Sequence, residues 1–325
     1  MPMEQRTLGD QGLSVSALGF GCWAIGGPFT MFGQPDGWGD VDDRESIAAI
    51  HLAMEMGVTL FDTADAYGTG HSEEVLGKAL QGRRERAVIA TKGGFVHDRS
   101  TRNLTGEDTS PAYLRRALEA SLRRLGTDYV DLYQIHNGSI PEENFAPLMA
   151  ELQAMQREGK IRAFGWSTWA AEGAPRLKDA GGVSMQSRQN LFSFDADMVA
   201  ACEQLGLACL ANAPLAMGML SGKFTAATRF AQEDVRSAAH TWLEYFEDGR
   251  PKPEFLARLA AVRDVLTSDG RTVAQGALAW LWGKSERLIP IPGFRNRQQA
   301  AENAGALAHG KLNAWQMAEI QTLLA

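Results

Sequence analysis

Four residues that could act together in catalysis, Asp62, Tyr67, Lys92 and His136, lie at or just beyond the ends of apolar runs typical of β-strands. A positive lysine beside a tyrosine favours the phenolate, so the phenol pKa, about 10 when unperturbed, is expected to move toward working pH. Asp62 could hold Lys92 charged, and His136 could orient a carbonyl oxygen or help to relay a proton. Together the four residue types predict delivery of a proton from Tyr67 to a substrate oxygen.

The same four residues also indicate that the reaction needs a cofactor, because one reactant cannot come from a side chain. Their spacing suggests no Ser–His–Asp arrangement, and they include too few metal ligands for a zinc site. A substrate oxygen becomes negative when a hydride attacks the carbonyl carbon, and no side chain can provide a hydride. A nicotinamide cofactor is therefore expected.

The elements that would position these residues alternate regularly along the chain. Strand-like runs are separated by amphipathic helical patterns, which is typical of parallel βαβ units in an α/β protein. The eight predicted strands are residues 17–20, 59–61, 88–91, 130–135, 161–165, 184–186, 208–211 and 288–291. In a (β/α)8 TIM barrel, catalytic groups converge where the strands end, so the ionisable residues at successive strand ends predict one site.

Length and composition agree with one such barrel. The chain has 325 residues, 45% of them hydrophobic, and no Pro/Gly/Ser-rich linker divides it. A single domain over residues 1–325 is predicted, although length alone would equally permit two. A β-hairpin turning at residues 9–12 is predicted to close the bottom of the barrel.

Local signals predict several helix starts and two long loops. Ser110-Pro111 is a cap followed by proline, Thr272-Val-Ala-Gln275 is a capping box, and Asn313-Ala-Trp-Gln316 follows similar logic. Residues 26–43 and 222–253 interrupt the alternation and are predicted to emerge on the catalytic face. The first of these segments, with its aromatic residues, either lines the substrate site or packs the barrel rim.

The net charge and the cysteine content limit which partners and which cellular compartment are expected. The formal net charge is −7 and no basic cluster stands out, so neither nucleic acid nor a membrane is expected as a partner. The three cysteines form an odd set without metal-type spacing, which fits a reducing compartment. The N-terminal residues lack the apolar core of a signal peptide, so a cytoplasmic location is expected.

Three segments around the four ionisable residues resemble the catalytic segments of the aldo-keto reductase superfamily, in particular the barrel members related to the potassium-channel β subunit branch. They are Phe-Asp-Thr-Ala-Asp-Ala-Tyr-Gly at 61–68, Thr-Lys-Gly-Gly at 91–94 and Asp-Leu-Tyr-Gln-Ile-His at 131–136. The resemblance continues in order through 165–168, 214–223 and 291–296, so it covers nearly the whole chain. It implies that Asp62, Tyr67, Lys92 and His136 form the family's catalytic tetrad.

One further motif could be mistaken for a dinucleotide fingerprint. Residues 19–24, Gly-Phe-Gly-Cys-Trp-Ala, match the loose pattern G-x-G-x-x-A, but Ile25-Gly26-Gly27-Pro28 prevents the helix that this fingerprint must open. The resemblance instead implies that this segment closes over the nicotinamide ribose. Gly21, Cys22 and Trp23 would then lie beside cofactor and substrate, together with Asp62.

The resemblance also implies the remaining cofactor contacts. Ser167, Thr168 and Gln186 match residues that hold the nicotinamide carboxamide, and Asn212 matches the position that stacks on its ring. Thr168 replaces a frequent asparagine, and Asn212 replaces an aromatic residue. The pyrophosphate segment corresponds to Pro214, Leu215, Ala216, Met217 and Lys223. The adenosine site corresponds to Gly293, Phe294, Arg295, Gln299, Glu302 and Asn303.

Arg295 bears on the choice of cofactor. A guanidinium at this position can fork onto a 2′-phosphate, which favours NADPH over NADH. The implied activity is NADPH-dependent reduction of an aldehyde or ketone to an alcohol, with a small-molecule carbonyl compound as the substrate. Two alternatives remain at this point: a cofactor-sensing regulatory subunit of a membrane protein, and a metal-dependent barrel hydrolase. Neither the physiological substrate nor the oligomeric state follows from the sequence.

Overall fold

Eight parallel strands form the centre of the computed structural model, which describes residues 4–10 and 12–324. In chain order the barrel strands β1 to β8 are Gly19–Gly21, Leu60–Asp62, Val88–Gly93, Val130–His136, Ile161–Ser167, Ser184–Arg188, Ala208–Asn212 and Leu288–Pro290. Each strand pairs in parallel with the next one along the chain. This pairing confirms the predicted (β/α)8 TIM barrel of the α/β class.

The barrel is nearly closed between its last strand and its first. Gly21 forms an isolated parallel bridge with Gly293, and the Gly21 N–H donates to the carbonyl of Pro292 at 3.0 Å. A Cβ atom on Gly21 would lie 2.7 Å from the carbonyl oxygen of Ile291. Glycine is therefore required at the point where the two edge strands meet.

Helices pack around the strands. The α-helices α1 to α10 are Asp43–Glu55, His71–Leu80, Pro111–Leu125, Glu142–Arg157, Ala174–Asp179, Ala196–Leu205, Pro253–Thr267, Val273–Lys284, Arg297–Gly305 and Ala314–Leu324. Short 3₁₀ helices lie at Trp23–Ile25, Tyr67–Gly70, Arg84–Arg86, Ala171–Gly173, Ala216–Ser221, Val235–Ser237, Ser268–Gly270 and Ala306–Ala308. No helix in the described part of the chain is long and apolar enough to cross a membrane.

The predicted start signals are present as caps. Ser110 accepts from the Tyr113 N–H at 3.3 Å and opens α3. Thr272 and Gln275 form both halves of a capping box at the start of α8. These bonds satisfy N–H groups that a helix start leaves without partners. Because the side chains that do this lie within three residues of each other, the sequence alone predicts the caps.

The predicted N-terminal hairpin is also present. Gln5–Thr7 pairs with Ser14–Ser16 in an antiparallel register, while Gln11 in its turn lies outside the described residues. Leu8 and Val15 are fully buried against side chains of the barrel interior. Gly9 lies against Val183, just before β6 begins, so the hairpin packs at the end of the barrel where the strands start.

A small sheet on the opposite end of the barrel was not predicted. Its strands are Thr30–Met31, Gln34–Pro35, Phe95–Asp98 and Asn103–Glu107. These strands are short and largely polar, so they lack the apolar run that marks a barrel strand. The second long segment contains a similar short pair, Phe246–Glu247 with Arg250–Pro251. Both long segments are therefore partly ordered into short strands.

The first barrel strand begins later than predicted. Residues 17–20 were predicted as the first barrel strand, whereas the strand is Gly19–Gly21. The Ala17 N–H donates to the carbonyl of Glu4 at 2.8 Å, so this residue still belongs to the hairpin. Apolar character alone could not separate the two elements.

Candidate active site

The four ionisable residues meet at the C-terminal ends of the barrel strands. Asp62 ends β2, Lys92 lies one residue before the end of β3, and His136 ends β4. Tyr67 begins the 3₁₀ helix that follows β2. Parallel pairing in register brings these strand ends to the same edge, so the residues that sequence predicted as one site do come together.

Lys92 is the centre of this cluster. Its Nζ donates to Asp62 Oδ1 at 2.5 Å, to the Thr63 carbonyl at 2.8 Å and to Tyr67 Oη at 3.1 Å. The Lys92 side chain is fully buried, and Asp62 is 2% exposed. The three donor bonds use the full capacity of an ammonium group, which fixes its position. Because Lys92 donates to the Tyr67 oxygen, the tyrosine proton remains available for another acceptor.

Two glutamines hold the other oxygen of Asp62. Gln134 Nε2 donates to Asp62 Oδ2 at 3.0 Å, and Gln186 Nε2 donates to the same atom at 2.8 Å. Gln186 Nε2 also lies 3.2 Å from Gln134 Oε1. Sequence reasoning did not identify Gln134, although its position two residues before His136 in a strand places both side chains on the same face.

The prediction that the pKa of Tyr67 is lowered was wrong, because the net shift is upward. Burial raises the pKa of Tyr67 above its usual value, and the nearby positive charge of Lys92 only partly offsets this increase. The argument from sequence counted the charge but could not count the loss of water around the phenol. The Tyr67 phenol is consequently protonated and uncharged at neutral pH.

Lys92 and His136 differ in charge, because their pKa values shift in opposite directions. Burial opposes the charge on Lys92, but the carboxylate of Asp62 and the tyrosine together raise the lysine pKa above its usual value. Burial, assisted by the positive charge of Lys92, lowers the pKa of His136 well below its usual value. Lys92 is therefore a cation and His136 a neutral imidazole at neutral pH.

The His136 ring faces the tyrosine. The two ring centroids are 5.9 Å apart with an edge-on geometry, and Phe95 packs on the other side at 4.9 Å. His136 Nδ1 is buried and has no hydrogen-bond partner among the described residues. A neutral imidazole beside a phenol can hydrogen-bond the oxygen of a carbonyl group that approaches Tyr67.

The segment Gly21, Cys22 and Trp23 lies against this cluster. The Cys22 N–H donates to the carbonyl of Asp62 at 2.8 Å, and Trp23 stacks over Tyr67 with ring centroids 6.1 Å apart. Cys22 is fully buried, and burial raises the pKa of its thiol. Its environment agrees with the role of a small buried filler.

The predicted carboxamide residues are adjacent across the sheet. Ser167 on β5 is in register with His136 on one side and with Gln186 on the other. The Thr168 hydroxyl donates to the Gly138 carbonyl at 2.6 Å, in the loop after β4, and accepts from the Ala170 N–H, so it already has partners in two neighbouring loops. Asn212 ends β7, and its carbonyl accepts from the Gln189 N–H.

The segment after β7 has an unusual backbone. Ala213, Ala216 and Met217 have φ values of 46°, 49° and 55°, and Gly218 follows with 94°. Non-glycine residues rarely adopt this left-handed region, and such strain concentrates at functional sites. Ala216, Met217 and Gly218 are consecutive left-handed residues, and the Ala216 and Gly218 N–H groups donate to the carbonyls of Ala213 and Leu215 within the same segment. This conformation covers the predicted residues Pro214, Leu215, Ala216 and Met217.

The predicted adenosine residues cluster at the start of α9. Asn303 Nδ2 donates to the Gly293 carbonyl at 3.1 Å, and the Arg295 N–H donates to Gln299 Oε1 at 2.8 Å. Lys223 Nζ lies 3.8 Å from Glu302 Oε2, which joins this cluster to the segment after β7. The Phe294 side chain is buried against Phe20, with ring centroids 4.8 Å apart, so only its backbone faces outward.

Both long segments contribute to a cover above Tyr67. Trp23 packs edge-on against Trp38 at 5.2 Å and lies 6.2 Å from Trp242. His240 stacks on Trp242 at 5.0 Å, and its Nε2 lies 2.9 Å from the Pro35 carbonyl. The Val235 N–H donates to the Gly37 carbonyl at 2.8 Å, which joins the two segments directly. We call residues 26–42 and 222–252 the aromatic cover.

Asp36 is a buried acid within this cover. Asp36 is 7% exposed, its Oδ1 makes no hydrogen bond among the described residues although His240 Nε2 lies 3.4 Å from it, and burial raises its pKa well above the usual value. Trp23 Nε1 donates to the backbone carbonyl of Asp36 at 3.0 Å. Sequence reasoning treated this segment only as aromatic-rich, because nothing in the sequence distinguished Asp36 from a solvated loop residue.

No group of three or more His, Cys, Asp or Glu residues in the described part of the chain is arranged to hold a metal ion.

Comparison with known proteins places this geometry in a family. Residues 17–325 match the model of the aldo/keto reductase family. The chain is 32% identical over 333 residues to aldo-keto reductase YhdN of Bacillus subtilis (strain 168), covering 99% of this chain and 94% of that protein. It is 30% identical over 320 residues to aldo-keto reductase yakc of Schizosaccharomyces pombe (strain 972 / ATCC 24843), whose name specifies NADP(+). That alignment covers 94% of this chain and 87% of the relative.

Solved structures agree with the sequence relatives. An aldo-keto reductase from Klebsiella pneumoniae in complex with NADPH superimposes with a TM-score of 0.73 at 25% identity, covering 100% of this chain and 96% of that chain. The match extends over the tetrad, the segment after β7 and the cluster at the start of α9. The chain described here belongs to the aldo/keto reductase family.

Proposed function

We propose that this protein is an NADPH-dependent oxidoreductase that reduces an aldehyde or ketone to an alcohol, with Tyr67 as the proton donor. The observation that carries the proposal is the position of Lys92, whose Nζ lies between Asp62 Oδ1 and Tyr67 Oη. A charged ammonium beside a neutral phenol lowers the free energy of the phenolate that remains after the tyrosine has given up its proton.

The side chains divide the work of proton transfer. A carbonyl oxygen between Tyr67 and His136 would accept hydrogen bonds from both, which polarises the carbonyl group. When bound, NADPH supplies the hydride to the carbonyl carbon. As negative charge develops on the oxygen, Tyr67 transfers its proton there, and the phenolate is stabilised by Lys92. Asp62 keeps Lys92 charged, while Gln134 and Gln186 fix the carboxylate.

The cofactor would lie along the strand ends from the tetrad to α9. Its support here is the strained backbone at Ala213, Ala216 and Met217, a kind of strain that concentrates at functional sites, and the guanidinium of Arg295, which suits a 2′-phosphate. The named NADP(+) dependence of the yakc relative and the NADPH complex of the Klebsiella protein agree with this choice. Gly21, Trp23, Ser167 and Gln186 would surround the nicotinamide end.

The aromatic cover would form the substrate pocket. Trp23 stacks on Tyr67, and Trp38 and Trp242 of the cover pack against Trp23, so together they present large apolar surfaces. These surfaces exclude water from the site, and an electrostatic interaction with a developing oxyanion is stronger where water is absent. Phe95, from the small sheet, completes the wall beside His136.

The decisive experiment is NADPH oxidation measured across a panel of aldehydes, ketones and quinones. We expect turnover with at least one aldehyde or ketone, with formation of the matching alcohol in equal amount. Binding of NADPH without turnover on any carbonyl compound would contradict the proposal. The same result together with a co-purifying membrane protein would instead favour a cofactor-sensing regulatory subunit.

A further inference from the structure

An ion pair occupies the region where the 2′-phosphate of NADPH is expected. Arg297 is the first residue of α9 and lies two positions after Arg295. Glu45, in the first turn of α1, reaches across to it. Glu45 Oε1 accepts from the Arg297 backbone N–H at 2.9 Å and from Arg297 Nε at 3.2 Å, while Oε2 lies 3.1 Å from Nη2.

This geometry uses the groups that would bind a phosphate. The Nε and Nη2 atoms form one edge of the guanidinium fork, and this edge matches either a carboxylate or a phosphate with two parallel bonds. The Arg297 N–H is one of the unpaired donors at the start of a helix, where an anion is stabilised. The carboxylate of Glu45 therefore takes both the fork and the helix start.

Arg295 differs from Arg297 in its pairing. Its Nη2 donates to the backbone carbonyl of Asp40, and no carboxylate in the described ranges lies within ion-pair distance of it. Its positive charge is therefore not neutralised by a side chain. The two arginines flank the N-cap residue Asn296, so a phosphate bound at one of them is near the other.

We propose that Glu45 is a cofactor-selectivity residue that competes with the 2′-phosphate of NADPH for Arg297. The proposal rests on the proposed NADPH-dependent function. NADPH must displace the carboxylate to use both arginines, whereas NADH carries only a hydroxyl at that position and leaves the Glu45–Arg297 pair intact. Glu45 thereby weakens NADPH binding selectively and narrows the preference for NADPH over NADH.

The exposure of the pair makes the exchange feasible. The Arg297 side chain is 62% exposed and Glu45 is 28% exposed, so water can solvate both groups when they separate. Such surface pairs contribute little to folding, and the carboxylate can leave without unfolding the helix start. Hydrogen bonds from the Arg297 backbone and side chain lower the pKa of Glu45, which keeps the competing group ionised at neutral pH.

The test compares dissociation constants of NADPH and NADH for the full-length protein and for Glu45→Gln. Glutamine keeps the size of the side chain but removes the charge. We expect NADPH affinity to rise roughly three-fold, because the carboxylate no longer competes for Arg297 and no longer repels the phosphate. NADH affinity should stay unchanged.

Two further variants sharpen the test. Glu74→Gln is the matched control, since Glu74 is 32% exposed and pairs with Arg99 at 2.5 Å elsewhere on the surface. It should change neither constant. In an Arg297→Ala background, Glu45→Gln should strengthen NADPH binding less than it does in the unaltered protein, because only the repulsion between the carboxylate and the phosphate is then relieved.

The outcomes separate this inference from the proposed function. If Glu45→Gln leaves NADPH affinity unchanged or lowers it, Glu45 positions Arg297 rather than competing for it, and the inference is overturned. An equal gain for NADPH and NADH would also overturn it, since no selectivity would be involved. If the unaltered protein binds neither cofactor, the proposed function itself fails.

Discussion

The Lys92–Asp62 pair at the barrel mouth and the Arg297–Glu45 pair at the start of α9 are both cation–carboxylate contacts, yet their surroundings differ completely. Lys92 and Asp62 are 0% and 2% exposed, and two glutamines hold the second carboxylate oxygen. Arg297 and Glu45 are 62% and 28% exposed and have water as an alternative partner. The first pair is a permanent part of the site, whereas the second can exchange for a ligand.

The difference shows how burial determines what an ion pair can do. In water-excluded surroundings, removing one partner leaves an uncompensated charge, so the pair acts as a fixed source of potential for Tyr67. At the surface the same contact contributes little to stability, and a stronger anion can replace the carboxylate. We infer that catalysis uses the fixed pair and that cofactor choice uses the exchangeable one.

The largest effect is expected where the buried cluster meets the substrate. Tyr67→Phe removes only the hydroxyl that receives the Lys92 hydrogen bond. Positioned acid catalysis is worth about 10²–10⁴-fold, so turnover should fall by at least that range while NADPH affinity stays nearly constant. Steady-state rates at saturating NADPH, with chemistry shown to be rate-limiting, measure the effect. A variant within about three-fold of the unaltered protein would remove Tyr67 from the role of acid.

Asp62→Asn breaks the buried ion pair and measures how much this pair contributes to the free energy of unfolding. Lys92 would remain buried without its compensating charge, and breaking such a pair destabilises a protein by about 3–5 kcal/mol. Glu45→Gln, the equivalent change at the exposed pair, should alter the free energy of unfolding far less, because exposed ion pairs contribute little to stability. Denaturant titration of both variants gives the two values. Equal losses would show that burial does not distinguish the pairs.

Arg295→Ala tests the exchangeable region. NADPH carries a 2′-phosphate that NADH lacks, and a hydrogen bond to a charged group is worth about 1.5–3 kcal/mol. NADPH affinity should therefore fall roughly 10- to 150-fold, and NADH affinity should hardly change. Fluorescence titration can report both constants through the eight tryptophans of the chain. Equal weakening of both cofactors would indicate a general role in the loop, and no weakening would exclude Arg295 from the phosphate site.

Lys92→Met should shift a pH profile as well as suppress activity. The positive charge of Lys92 lowers the pKa of Tyr67, against the larger effect of burial. Without that charge the tyrosine pKa rises further, and alcohol oxidation, which needs the phenolate, should require a higher pH. The rate of alcohol oxidation is measured against pH for the residual activity and for the unaltered protein. An unchanged profile would separate Lys92 from the proton donor.

The strand ends and the helix starts were predictable because their signals are local. Asp62, Lys92 and His136 each follow an apolar run, and Ser110 and Thr272 are followed by the residues that complete their caps. In a parallel barrel every strand ends on the same face, so a local pattern was enough to place distant residues together. The residue types themselves predicted the role of Tyr67, and the resemblance to the family then supplied the predicted cofactor positions.

The features that were missed depend on contacts between distant segments. Gln134, Asp36 and Arg297 acquire their importance from partners 72, 204 and 252 positions away along the chain. The net direction of the Tyr67 pKa depends on burial beneath the aromatic cover, which no single segment encodes. These properties appear only when the loops are packed against each other.

The central claim, hydride transfer to a carbonyl carbon beside Tyr67, is tested most directly with NADPH that carries deuterium at the transferable C4 position. The protein is incubated with this cofactor and an aldehyde from the active set, and the alcohol product is analysed by mass spectrometry. We predict one deuterium on the former carbonyl carbon of each alcohol molecule, with the hydroxyl proton taken from the protein and exchanged with water. An alcohol that carries no deuterium, or a cofactor oxidised without alcohol formation, would contradict the account.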